Sequence, residues 1–145
     1  YSRELVSTMA GVLHRLGAER ALVVNSRDGM DELSICAETN VAEVSPEGLR
    51  EWTLDPAELG VEPADLSELV VENADQSAGI IREVLEGRSG AARRIVALNA
   101  AAAIYAGGKA GDLAGGLEAA RHSIDSGSAL RVLEDLRRVS HRQED

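Results

Sequence analysis

The sequence has no phenylalanine, one tryptophan, two tyrosines and a single cysteine, Cys36, in 145 residues. Without aromatics, a core has to be assembled from Ala, Val, Leu and Ile. One cysteine cannot close an intramolecular disulfide, which fits a reducing, cytoplasmic setting. No apolar run approaches the ~20 residues that span a bilayer, and the opening YSRELVSTMAG is neither basic nor apolar enough for a signal peptide. Basic residues are outnumbered, 15 Lys and Arg against 25 Asp and Glu, for a net charge of −10. That balance argues against nucleic acid and anionic membrane surfaces as partners. Phosphate ligands stay open if a divalent cation accompanies them. An initial methionine is also missing. Tyr1 leads at once into a helical pattern, so the chain reads as a piece of a longer one.

What is present suits a single domain. The apolar fraction is 44%, enough for a packed core, and a chain of this size can bury roughly 70% of its unfolded surface. Leu5, Val6, Met9, Val12, Leu13 and Leu16 recur at helical spacing and predict an amphipathic helix over 3–16, closed by Gly17. RALVV (20–24) is apolar on both faces. It predicts a central strand covered on both sides, as in a parallel sheet. ELSICAE (32–38) alternates and predicts a half-buried strand. NVAEV and LREWTL flank the turn SPEG as a β-hairpin. DPAELG is one helical turn, capped by Asp55, started by Pro56 and stopped by Gly60. Residues 61–72 carry no clear pattern.

Helices follow. Asn73 and Gln76 form a capping-box pattern before a stripe of Ile80, Ile81, Val84 and Leu85, ended by Gly87. AARRIVALNAAAAIYAGG is a small-residue helix suited to close packing. Asp112 caps another helix, with Leu113, Leu117, Ala120 and Ile124 on one face, and DSG (125–127) breaks it. ALRVLEDLRRV is a last helix before the polar tail SHRQED, read as frayed.

The stretch most open to chemistry is NSRDGMDE (25–32), beyond the carboxyl end of RALVV, read as the most deeply buried strand. Ligands of open α/β sheets bind at such ends. Asp28, Asp31 and Glu32 crowd together there, and Gly29 permits a sharp turn. Asp31 and Glu32 would diverge on a strand but can converge from a turn. Magnesium commonly binds one or two carboxylates together with substrate phosphates. The residues alone therefore support two readings: a magnesium site for a phosphorylated substrate, or a solvated acidic turn, the commoner case.

ALVVNSRDGMDELS resembles the stretch around the DGLDE motif of anthranilate phosphoribosyltransferases. The likeness runs in order through RLGAERALVV, TNVAEV, TLDPAELG, ENA (Glu72–Ala74), VALNAAAAIYAGGKAGDLAGGLEAA and SIDSGSAL. It covers essentially the whole chain. Two departures are visible: Met30 stands where the family usually has Leu, and SELVVENA replaces a segment that usually carries Gly-Gly. The family's glycine-rich diphosphate loop, its K-H-G-N segment and its anthranilate-binding basic residues are absent, and all lie upstream in the family.

The resemblance implies that residues 1–145 are the C-terminal portion of a nucleoside phosphorylase/phosphoribosyltransferase-type α/β domain, with a few strands including a hairpin, then several packed helices. It implies transfer of the phosphoribosyl group of phosphoribosyl diphosphate to anthranilate, in tryptophan biosynthesis. Asp31 and Glu32 would hold Mg²⁺, pyrophosphate would leave, and the whole enzyme would be a cytoplasmic homodimer. This chain alone would be inactive. A reading of another class is a non-catalytic packing or oligomerisation module derived from the same fold.

Other candidates carry less. His14, His122 and His141 lack metal-ligand spacing with Cys36 and read as surface residues. Ser126 beside Gly127 reads as a helix stop rather than a nucleophile. Asn99 reads as a buried hydrogen-bonding group that fixes helix packing. GGKAG (107–111) lacks the phosphate-loop spacing, and ARR (92–94) reads as a solvated helix start.

Overall fold

The helical spacing of the first stretch becomes helix α1, Arg3–Arg15, in the computed structural model, which describes residues 2–140. Its apolar stripe is divided. Val6 and Ala10 are buried, whereas Leu5, Met9, Val12 and Leu16 stay exposed. Gly17, at φ 83°, turns the chain out of the helix.

Three strands follow: β1 (Ala21–Ser26), β2 (Thr39–Ser45) and β3 (Gly48–Leu54). They form one antiparallel sheet in the order β1-β2-β3, with Val24 opposite Val41 and Val41 opposite Trp52. The β2–β3 hairpin is the one its turn residues predict, with Ser45 opposite Gly48. Val23, Ala42 and Val44 pack with Val6 and Ala10 of α1 on one face. Leu22, Val24 and Val41 join the main core on the other. RALVV is thus covered on both faces, as its composition requires.

Four expectations need correction. The ladder of β1 is antiparallel, because residues 27–38 contain no crossover helix and simply fold back. The most deeply buried strand is β2, flanked on both sides, rather than β1. Among the described residues no strand lies on the other edge of β1. ELSICAE is not a strand at all. Its apolar side chains Leu33 and Ile35 are fully buried, at about 1.5–3 kcal/mol each, yet its backbone pairs elsewhere.

Beyond the hairpin, Asp55 accepts the Ala57 N–H at 2.9 Å to cap a 3-10 turn, Pro56–Leu59, and Gly60 stops it at φ 66°. Within the unassigned 61–72, a short 3-10 turn spans Leu66–Glu68. Helix α2 is Ala74–Leu85. Asn73 accepts the Gln76 N–H at 2.9 Å, while the Gln76 side chain accepts the N–H of Glu72 at 2.7 Å, one residue earlier than a capping box demands. Val84 is buried and Ile80 half-buried, but Ile81 is exposed and leaves the predicted stripe.

Helices α3 (Ala91–Ala106) and α4 (Leu113–Asp125) pack closely against each other. Asp112 caps α4 by accepting the Gly115 N–H at 2.7 Å. Ala97, Ala101, Leu117, Ala120 and Ile124 are buried between and beneath them. Helix α5 (Ser128–Ser140) keeps Val132, Leu136 and Val139 exposed. Most of the predicted frayed tail, 141–145, lies outside the described residues.

The absence of large side chains lets α3 and α4 touch backbone to backbone. A Cβ at Gly116 would lie 2.5 Å from the Ala101 carbonyl oxygen, and a backbone atom cannot swing aside. Gly116→Ala should therefore destabilise by about 1–3 kcal/mol, against the ~1 kcal/mol that alanine's helix propensity would otherwise add. Urea unfolding checks this. A midpoint equal to or above the parent's would show that the helices can part freely.

Candidate functional site

The acidic stretch lies in the link between β1 and β2, and its shape is set by short-range bonds. The Ser26 N–H donates to the Met30 carbonyl at 3.0 Å, and the Gly29 N–H donates to the Ser26 carbonyl at 3.1 Å. Gly29 sits at φ 95°, a conformation that side chains resist. One Asp28 carboxylate oxygen accepts the Met30 N–H at 3.2 Å, and the other accepts the Ser34 hydroxyl at 2.5 Å. Ser34 is also tied by its N–H to the Thr39 hydroxyl at 3.2 Å. Its oxygen accepts the Cys36 N–H at 2.8 Å. At the base, the Arg27 N–H donates to the Glu38 carbonyl at 2.9 Å, and the two side chains form an ion pair.

A longer-range contact holds the middle of the loop. Asn99 of α3 accepts the Leu33 N–H at 2.9 Å, and its amide donates to the Leu33 carbonyl at 2.8 Å. The same amide donates to the Ile95 carbonyl at 3.0 Å. A side-chain amide has thus taken the place of a neighbouring strand. This is why ELSICAE, with a strand's alternation, forms none. Asn99 is half-buried and fixes this loop rather than the packing of two helices.

Asp31 and Glu32 are adjacent, exposed and at a bend. Burial pushes the Glu32 carboxyl above its usual 4.5, and the charges of Asp31 and Asp28 push it further. Asp28 behaves differently. Burial raises it, but hydrogen bonds from Ser34, Ser26 and the Met30 N–H outweigh that and hold it below 3.8. Asp28 is thus an ionised latch, its oxygens already engaged, while Asp31 and Glu32 are presented outward. Among the described residues no group of three or more His, Cys, Asp or Glu is disposed to hold a metal ion. Two hard carboxylates with repulsion to relieve fit Mg²⁺ only as a partial site completed by a ligand's own oxygens.

The remaining candidates resolve as follows. His14 and His122 are exposed, and His141 lies outside the described residues. Ser126 follows α4, and Gly127, at φ 69°, breaks the chain direction. GGKAG is the loop between α3 and α4. The helix start at 92–94 is less solvated than expected. Arg93 donates to the Gly87 carbonyl at 2.8 Å and to Asp125 at 2.6 Å, and Arg94 lies near Glu62 and the Pro63 carbonyl. A network centred on buried Glu43 was not legible in the sequence. Tyr105 donates to its carboxylate, Arg50 pairs with it at 3.4 Å, and the Arg20 guanidinium lies over the Tyr105 ring. Its members come from four separate segments, so no local pattern marks them.

With this geometry in view, the chain belongs to the glycosyl transferase family: the family model described as the a/b domain matches residues 1–130. Within that class its particular likeness is to anthranilate phosphoribosyltransferases. It is 49% identical over 140 residues to the one from Methylobacillus flagellatus, covering 97% of this chain and 41% of that protein. The crystal structure of the Thermus thermophilus anthranilate phosphoribosyltransferase superposes with a TM-score of 0.84 at 38% identity, over 93% of this chain and 40% of that one. The Saccharomyces cerevisiae enzyme in complex with PRPP and Mg gives 0.81 at 28% identity, over 92% and 39%. The chain therefore spans about 40% of the length of the relatives it matches.

The two shifted carboxyls of this loop make opposite contributions to stability. Asp28, held low, adds stability that is present above 3.8 and lost as pH falls through its folded-state value. Glu32, held high, adds stability that is present below 4.5 and lost as pH rises through its folded-state value. Glu32→Gln should therefore gain on the parent as the metal-free chain is taken from about pH 4 to about pH 7. Asp28→Asn should fall below the parent at neutral pH and converge with it in acid. Chemical denaturation across that range checks both. A Glu32→Gln difference that is flat with pH would mean the carboxylates do not repel.

Proposed function

We propose that residues 1–145 form the C-terminal portion of an anthranilate phosphoribosyltransferase, and that Asp31 and Glu32 hold Mg²⁺ together with the diphosphate of phosphoribosyl diphosphate. The observation that carries this reading is the exposed Asp31–Glu32 pair. It stands on a loop whose third acid is spent on internal bonds, in a chain alike over nearly its whole length to these enzymes.

In this reading the anthranilate nitrogen forms a bond to the ribosyl anomeric carbon, the bond from that carbon to diphosphate breaks, and the amine proton is released. The bound ion supplies Lewis-acid neutralisation of charge on the departing diphosphate. The chain's own part is to present two adjacent, exposed carboxylates. Asp28 and Ser34 close the loop behind them, and Gly29 gives the turn its sharpness. A cation beside Glu32 would offset the repulsion from Asp31 and Asp28 that raises its carboxyl. The grips for the ribosyl phosphate and for anthranilate come from sequence outside these residues. The whole enzyme serves tryptophan biosynthesis as a cytoplasmic homodimer in this reading, and the unpaired thiol of Cys36 suits a reducing compartment.

Two experiments test it. In the enzyme at the full length of its relatives, Asp31→Asn combined with Glu32→Gln should raise the magnesium needed for half-maximal rate by about tenfold or more. Unchanged magnesium dependence refutes the assignment. The purified 145-residue chain, given both substrates and magnesium, should release no pyrophosphate above background. Clear turnover would place the whole site within these residues.

A further inference from the structure

We infer that Asn99 is the positioning residue for the metal-binding pair: its side-chain amide, clamped on both backbone groups of Leu33, sets the direction in which Glu32 and Asp31 present their carboxylates. The inference rests on the proposed role of that pair and extends it to a residue 66 positions away on another element.

The geometry is specific. The bond from the Leu33 N–H to Asn99, at 2.9 Å, fixes the plane of the Glu32–Leu33 peptide. The bond from the Asn99 amide to the Leu33 carbonyl, at 2.8 Å, fixes the next plane. Together they determine the backbone on both sides of Leu33, directly behind the pair. Leu33 is 1% exposed, so water cannot take over either bond. Asn99 is itself anchored, since its amide also donates to the Ile95 carbonyl one turn back in α3 at 3.0 Å. The clamp therefore has a rigid support, and the loop has no ladder that could replace it. Asp28 and Ser34 tie the loop to itself, Leu33 and Ile35 seat it on the core, and the bonds from Asn99 add the directional tie to α3. Without the clamp, the backbone directly behind the carboxylate pair would sample more directions, and groups that orient ligands to a metal typically change its affinity by about 10–100-fold when removed.

The test uses the full-length enzyme with Mn²⁺ as the probe ion and phosphoribosyl diphosphate present. Bound metal is read by paramagnetic resonance and the loop by exchange of the Leu33 amide. Asn99→Ala should weaken metal half-saturation about tenfold or more and speed exchange at Leu33, while kcat at saturating metal falls far less. Asn99→Asp keeps an acceptor for the Leu33 N–H but turns its second oxygen on the Leu33 and Ile95 carbonyls, so it too should weaken metal half-saturation. It carries the test if Asn99→Ala does not fold. Ile95→Val, a lost methylene on the same helix, should lower stability without moving metal affinity, which separates positioning from general destabilisation. Metal half-saturation in the Asn99 variants within about twofold of the parent, or an equal loss in Ile95→Val, overturns the inference. If Asp31→Asn with Glu32→Gln abolishes metal binding while the Asn99 variants keep it, this inference alone fails. If the pair variant also binds normally, the function proposed above fails with it.

Discussion

The candidate site depends on one exchange of partners: a side-chain amide on α3 satisfies a stretch of backbone that would otherwise need a strand. Asn99 offers one acceptor and a two-proton donor, and Leu33 takes both. A buried amide and carbonyl left unpaired would each cost on the order of 1–3 kcal/mol. The clamp allows residues 31–37 to leave the sheet, stay irregular and still be anchored by Leu33 and Ile35 in the core. Irregular backbone is what lets Asp31 and Glu32, neighbours in sequence, face solvent together.

The clamp in turn depends on how α3 is seated. With no phenylalanine and few other aromatics, the layer beneath the loop is built by approach rather than by bulk. Ala97, Ala101, Gly116 and Ala120 bring α3 and α4 together until there is no room for a methyl group at Gly116. Close-packed interiors respond to such changes at the scale of a single methylene. An amide mounted on this pair has little freedom, which suits it to hold a loop in one direction. Arg93 adds a tie across the same layer, joining the end of α2 to the end of α4.

Electrostatics divides Asp28 and Glu32 by what surrounds them. Asp28 is enclosed by donors and stays ionised, so it serves the loop's shape. Partial burial and the charges of Asp31 and Asp28 raise the Glu32 carboxyl above its ordinary value. The loop accepts a local loss of stability in a form that a cation can relieve. Functional sites are commonly where such local costs are kept.

Much of this was legible in the residues. The helical spacings, the Asp55, Asn73 and Asp112 caps, the hairpin turn and the acidic turn with its glycine are local signals, because their physics acts over a few residues. Apolar composition on both faces of RALVV correctly required cover on both sides. It could not say whether the ladder is parallel or antiparallel, since that depends on where the chain goes next. Alternation in ELSICAE reported which side chains are buried and not what the backbone bonds to. Ile81 and the outer stripe of α1 have helical spacing but no neighbour to bury them among the described residues. The sequence by itself determined the local elements and the types of residue available for chemistry. The fold alone decided that Asn99 meets Leu33, that Asp28 accepts from Ser34, and that Glu43 gathers Tyr105 and Arg50. Each of these joins groups far apart along the chain, and a hydrogen bond or a Coulomb interaction follows distance in space, not position in sequence.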